Sequence, residues 1–377
     1  MNKSLLALAV LGAFTSIASA QSSVTLYGRL DQAVVLQDPG SKIGATASGK
    51  NGQALTKLQE GILGGSRIGF RGVEDLGDGM KAFFQLEAGV APDSGSAGGS
   101  TTLNSSGSSF FNRGAYVGLS HAAYGEVRLG RQETLTRENA VKINDISNDG
   151  QFALAESLEK SSDAAGKGSR PLFQNFGTRV DNAIRYTTPV FGGLQGSAII
   201  GLSERTKTFN SNNVLTNKAA NYRGLSVVYT AGPLAADLIY EDLAGGVSGT
   251  KNDYNNTITA GGSYDFGIVK LAAAYQHTTN LGGQLEKVSY AKGTDVDAWN
   301  IGVAVPINAF TFKAQYTGSR LDPATGSSLE QNKYGASLQY AFSKRTTVYL
   351  SATERGGDQS DYFSRQSEVA LGLAHTF

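Results

Sequence analysis

The end of the chain constrains its fold more than any other stretch. In Glu368–Phe377, Val369, Leu371, Leu373 and Phe377 point one way, and Ala370, Gly372, Ala374 and Thr376 point the other. A period of two with one apolar and one small or polar face is the mark of a strand, since successive side chains leave opposite sides of a pleat. Soluble domains tend to fray at their ends rather than finish on an ordered apolar strand. The alternation also recurs through the chain. Val24, Leu26, Gly28, Leu30, Val34 and Leu36 oppose Thr25, Tyr27, Arg29 and Asp31, while Phe310, Phe312, Ala314 and Tyr316 oppose Thr311, Lys313 and Gln315. Strands with one greasy face and one wet face throughout predict an all-β transmembrane antiparallel β-barrel.

Residues 1–20 carry a separate signal. Lys3 gives a basic start, Leu5 to Phe14 is a short apolar run, and Ala18-Ser19-Ala20 is a small-residue cleavage site. That pattern reads as a cleaved signal peptide, because the run is shorter than the roughly 20 residues a spanning helix needs. The barrel domain is expected over 21–377. Cleavage would remove one charge from 33 basic and 32 acidic residues, leaving the two signs balanced. Neutrality argues against a nucleic-acid partner. The absence of cysteine rules out disulfides and thiolate metal sites. No spacing resembles a calcium loop, and no cofactor or metal is expected.

Connection lengths alternate. Short turns fall at Leu76-Gly77-Asp78-Gly79, Ala122-Ala123-Tyr124-Gly125, Phe191-Gly192-Gly193, Gly232-Pro233, Phe266-Gly267, Pro306-Ile307-Asn308 and Ser343-Lys344-Arg345. Long polar stretches lie between them at 38–60, 93–109, 133–177, 205–219, 244–254, 280–293, 320–331 and 356–364. Together they predict about 16 strands, with short periplasmic turns and long external loops. Weak outer faces at Gln32 and at Gly64-Gly65-Ser66 suggest that the early strands meet another subunit rather than lipid.

A barrel of that size encloses water. The stretch 133–177 is the longest connection and is expected to fold into the lumen as a constriction loop. Strands near it place Arg67, Arg71, Arg128, Arg179 and Arg185 on the inward face by parity. A basic wall favours anions. The loop offers Glu133, Glu138, Asp145, Asp149 and Glu156 as opposing acids, with Asp145 the preferred candidate. The three histidines lie on separate strands without serine and acid partners, so hydrolysis is not expected. Scattered inward aromatics do not form the ladder a sugar channel would want, and the external loops show no adhesin-like motif.

Several motifs in order resemble the general porins of the Neisseria and Burkholderia type. They are Val24-Thr25-Leu26-Tyr27-Gly28, the run Ser66-Arg67-Ile68-Gly69-Phe70-Arg71-Gly72-Val73-Glu74-Asp75-Leu76-Gly77-Asp78-Gly79, Asn112-Arg113 through Leu119, Gly125 through Arg131, Arg185-Tyr186 through Pro189, and Gly372 through Phe377. The resemblance covers Ser23 to Phe377. It implies a homotrimer of 16-stranded barrels in outer-membrane lipid and lipopolysaccharide, passing small hydrophilic solutes and ions. It also implies an arginine cluster facing an inward third loop, with Arg67 and Arg179 at matching positions, and a final Phe377 read by the barrel insertion machinery. Alternation puts Gly114 inward and Arg113 outward unless a bulge re-aims it, which departs from the arginine that the resemblance implies on the fourth strand. Ala374 stands where a basic residue is often found.

Overall fold

The computed structural model describes residues 23–38, 54–97, 102–103, 110–144, 146, 178–202, 208–209, 215–217, 221–244, 254–280, 283–285, 288–290, 293–358 and 366–377. The expected leader at 1–20 lies outside them. Each strand pairs antiparallel with its sequence neighbour, and the first closes on the last, giving a barrel of 16 strands. They are β1 (Ser23–Asp38), β2 (Leu55–Glu60 continued by Arg67–Gly77), β3 (Met80–Ala91), β4 (Gly114–His121), β5 (Gly125–Glu133) and β6 (Arg179–Thr187). Then follow β7 (Leu194–Gly201), β8 (Asn221–Ala231), β9 (Leu234–Ala244), β10 (Tyr254–Asp265) and β11 (Lys270–Thr279). The ring is completed by β12 (Asp295–Ile307), β13 (Phe310–Asp322), β14 (Leu329–Ala341), β15 (Thr346–Gly357) and β16 (Ser367–Thr376). Among the described residues no helix is long and apolar enough to cross a membrane.

The wall is inside out relative to a soluble protein. Val24, Leu26, Val34, Leu36, Leu371 and Leu373 are exposed on the outer face, whereas Asp31, Thr259, Gln276 and Asn300 are buried on the inner one. Closure satisfies every strand edge, which a bilayer demands because lipid offers no hydrogen bonds. Aromatic rings gather near the two rims of the outer wall: Tyr264 and Phe266 by one short turn, Phe310, Tyr340 and Phe342 by two others, and Tyr275, Trp299, Tyr316 and Tyr334 towards the loop end. Several rings cover the bare glycine directly across the ladder, as Tyr27 does Gly69, Phe84 Gly72, Trp299 Gly318 and Tyr349 Gly372. Such pairs fill the space a glycine leaves in a sheet.

One segment departs from the reading of the second strand. Between the two halves of β2, residues 61–66 leave the sheet and tuck inward. Ile62 and Leu63 pack there against Ala33, Val35, Tyr349, Ala370 and Ala374 on the inner face of β1, β15 and β16. Gly61 at φ +77° makes the turn, a backbone state that side chains disfavour. The Asp31 carboxylate accepts hydrogen bonds from the backbone N–H of Leu63 (2.6 Å) and Gly64 (2.9 Å) and from the Tyr349 hydroxyl (2.6 Å). Gly64, Gly65 and Ser66 therefore face the lumen, not a neighbouring subunit. Their small size serves the inward fold.

Candidate functional site

The site begins where β5 ends. Gly130, at φ +129°, sits at a register shift that lets the chain turn off the wall after Glu133. A short helix α1 (Leu135–Asn139) and a π-helical turn (Ala140–Asn144) follow. The Leu135 side chain is buried with Val180, Ala183, Ile199, Tyr222 and Ile239. Glu241 of β9 holds the start of α1: its carboxyl accepts from Thr136 N–H (2.9 Å), from the Thr136 hydroxyl (2.8 Å) and from the Tyr222 hydroxyl (2.6 Å). Tyr222 in turn accepts the Leu135 N–H at 3.1 Å. Farther on, the Asn144 side-chain amide donates to both Asp237 carboxylate oxygens at 3.0 and 3.1 Å, and the Asn144 backbone carbonyl accepts from the Asn300 side chain at 3.1 Å.

Three inward glycines make the track for this segment. A Cβ on Gly224 would come 2.9 Å from Leu135 Cδ1, one on Gly302 would come 2.7 Å from Ile146, and one on Gly261 would collide with Asn144. Residues 135–146, where described, therefore cross the inner face from β8 to β12 in close contact with its backbone.

Between this segment and β2–β5 lies a cavity of about 330 Å³ lined by Arg67, Arg113, Arg128, Lys142, Glu87, Glu133, Glu138, Gln85, Gly114, Tyr116 and Gln132. Four cationic and three carboxylate side chains meet there. Arg113 Nε donates to Glu87 Oε1 at 2.7 Å, and the Tyr27 hydroxyl donates to the other Glu87 oxygen at 2.9 Å. Arg128 pairs with Glu126 and lies 5.2 Å from the centroid of the Tyr116 ring. Arg179 spans to Glu133 (3.0 Å) and to the Arg113 carbonyl (2.9 Å). Arg185 pairs with Glu138 and donates to the Ser197 hydroxyl at 3.2 Å.

Of the residues read from the sequence, Arg67 and Arg128 line the cavity, and Arg179 and Arg185 adjoin it through Glu133 and Glu138. Arg71 is elsewhere, with its guanidinium 5.3 Å from the centroid of the Tyr27 ring. Asp145, Asp149 and Glu156 lie outside the described residues. Arg113 corrects the alternation argument: it precedes β4, so strand parity does not apply to it, and its side chain turns inward to Glu87. Glu87, Tyr116, Lys142 and the Glu241 anchor were not singled out from the sequence. The two-residue period puts Glu87 on the same face of β3 as Lys81 and Gln85, and nothing in the sequence marks it out from them.

The Glu138 carboxyl shows how strongly the site is charged. Burial alone would raise its pKa, yet Arg185, Lys142 (2.5 Å) and Arg128 pull it from the usual 4.5 down to about 2. With the folded value depressed, the stabilisation is full above the unfolded pKa and disappears as pH falls from there through about 2. Single-channel conductance and current noise are therefore expected not to change through a Glu138 titration between pH 7 and 5. A step in that range that is abolished by Glu138→Gln would refute this assignment.

Comparison with known proteins agrees with this architecture. A family model described as Gram-negative porin matches residues 7–360. An outer membrane porin protein of Bordetella pertussis is 30% identical over 412 aligned residues, with all of both chains covered. Outer membrane porin protein 32 of Delftia acidovorans is 34% identical over 307 residues, covering 80% of this chain and 78% of the relative. The solved anion-selective porin from Comamonas acidovorans superposes with a TM-score of 0.69 at 26% identity, covering 95% of this chain and 100% of that one. Inside-out wall, closed ring and full-length similarity converge: the chain is an outer-membrane β-barrel and belongs to the Gram-negative porin family.

Proposed function

We propose that this porin is a general diffusion pore for ions and small hydrophilic solutes, narrowed by the connection that starts at Glu133 and lined at its narrowest part by arginines. The observation that carries this reading is the convergence of Arg67, Arg113, Arg128 and Lys142 with Glu87, Glu133 and Glu138 around one cavity beside α1. Opposed charges across a wet passage create a transverse field, and the local cationic excess favours anions. The anion selectivity named for the Comamonas porin points the same way. No bond is made or broken; solutes are sorted by size and charge as they move down their own gradients.

The reading extends to assembly. Residues 1–20 serve as a cleaved export signal, Phe377 addresses the insertion machinery, and lipopolysaccharide and lipid surround the outer wall. Three copies associate through the sector from β16 to β4. There the outer face is mostly aliphatic, with Val24, Leu26, Leu30, Val34, Leu36, Val117, Leu119 and Leu371 exposed, while most of the rim aromatics lie on the remaining strands.

Planar-bilayer recording tests the pore. Conductance should arrive in triple steps, with a reversal potential showing anion preference in a salt gradient. Arg67→Ala or Arg179→Ala should lower the anion-to-cation permeability ratio about two- to fivefold, as expected for removing one charge from a wet constriction. A barrel that inserts but carries no current would sink the proposal.

A further inference from the structure

We infer that the inward fold at residues 61–66 is a positioning device for Arg113, and that Gly65 sets how far this guanidinium projects into the pore. The inference rests on the arginine-lined constriction proposed above. Arg113 is aimed by no strand, because it stands one residue before β4. Glu87 fixes one side of it, accepting from its backbone N–H (3.1 Å) and from its Nε (2.7 Å). The inward fold closes off another side. A Cβ built on Gly65 would lie 2.9 Å from Arg113 Nη1, whereas one on Gly64 would instead meet the Arg29 guanidinium at 3.0 Å. Contacts that short are repulsive, so the wild-type guanidinium rests against the Gly65 backbone.

The fold is itself tied down. Its Gly61 N–H donates to the Asp31 carbonyl (3.1 Å), Asp31 N–H donates to the Ser66 hydroxyl (3.0 Å), and Val90 N–H of β3 donates to the Ser66 carbonyl (3.1 Å). Together with the two amides held by the Asp31 carboxylate, these bonds make it a fixed surface rather than a loose loop. An added methyl at 65 would therefore displace the end of the long, flexible arginine side chain before it moved the backbone behind it. That response costs the barrel little and changes the pore.

The test is reversal potential in a salt gradient, with heat-modifiable gel migration as the control for folding. Gly65→Ala should push the guanidinium away from the inward fold and raise anion preference about 1.1- to 1.5-fold, the change expected for moving a unit charge a few tenths of an ångström at an effective dielectric between about 80 and 20. Ser66→Ala, which loosens the backstop without adding volume, should shift the ratio the other way. Both shifts should vanish in an Arg113→Ala background. If Arg113→Ala changes selectivity but Gly65→Ala and Ser66→Ala leave it at the wild-type value, or if their shifts persist without Arg113, the positioning role is overturned while the constriction stands. If Arg113→Ala itself changes nothing, Arg113 has no share in selectivity and the inference falls with it. Should Gly65→Ala fail to fold, the sign and Arg113-dependence of the Ser66→Ala shift decide the matter.

Discussion

Glu241→Ala is expected to destabilise the folded barrel by about 3–5 kcal/mol, the cost of stranding several buried donors at once. The carboxyl is almost fully enclosed and accepts three hydrogen bonds, one from β8 and two from α1. Its removal leaves the Tyr222 hydroxyl and the Thr136 amide without their acceptor beneath the Leu135 cluster. The effect should reach transport, since this contact anchors the start of the connection beside the charged cavity: open-channel current noise should rise with the loss of stability. Glu241→Gln makes the sharper comparison. Its amide oxygen can take the Oε1 position and keep Tyr222 and Thr136 N–H satisfied, while its NH₂ donates to the Thr136 hydroxyl. We expect it to remain within about 1 kcal/mol of wild type. Thermal or urea unfolding of the detergent-folded barrel, read by loss of heat-modifiable migration, distinguishes the two. An alanine variant as stable and as quiet as wild type would show that Glu241 is no anchor.

The second large effect belongs to Asp31. Alanine there removes the acceptor of the Leu63 and Gly64 amides and of the Tyr349 hydroxyl, all buried, and should cost about 3–4 kcal/mol. Tyr349→Phe alone deletes one partner of one of these bonds and should cost about 1 kcal/mol. The informative experiment is the pair. Once Asp31 is gone the Tyr349 hydroxyl has nothing to donate to, so Tyr349→Phe should become nearly neutral or mildly stabilising in the Asp31→Ala background. Strict additivity of the two unfolding free energies would mean that the 2.6 Å contact contributes nothing.

The strands were legible because one rule, the two-residue period, applies independently to each of them, and the short turns carry Gly, Asn and Pro where the chain must reverse. Val34, Leu36 and Leu371 needed no partner to be placed outward. The inner architecture was not legible for the opposite reason: it is made of contacts between residues far apart in sequence that obey no period. Thr136 meets Glu241 across 105 residues and Asn144 meets Asp237 across 93. Neither pair differs in composition from ordinary wet-face residues. Parity could not settle the direction of Arg113, because it holds only inside a strand and Arg113 lies one position short of one. Ile62 and Leu63 offered a hint, two aliphatic residues flanked by glycines where the second strand should be regular, yet only the buried Asp31 opposite them explains which way they turn.

The seam of the ring carries a consequence for how the molecule is made. Gly28 and Phe377 exchange backbone hydrogen bonds of 3.1 Å in both directions, and β1 runs against β16 from Arg29–Thr376 to Asp38–Ser367. No other ladder among the described strands joins residues so distant in the chain, so this seam carries the largest loop-closure cost of any of them. A chain lacking β16 would expose two raw edges, on β1 and on β15, each a row of unpaired N–H and C=O groups that a bilayer cannot satisfy. Pairing the first strand with the last thus removes both edges at once, and a chain lacking either strand would keep an unpaired edge in the bilayer.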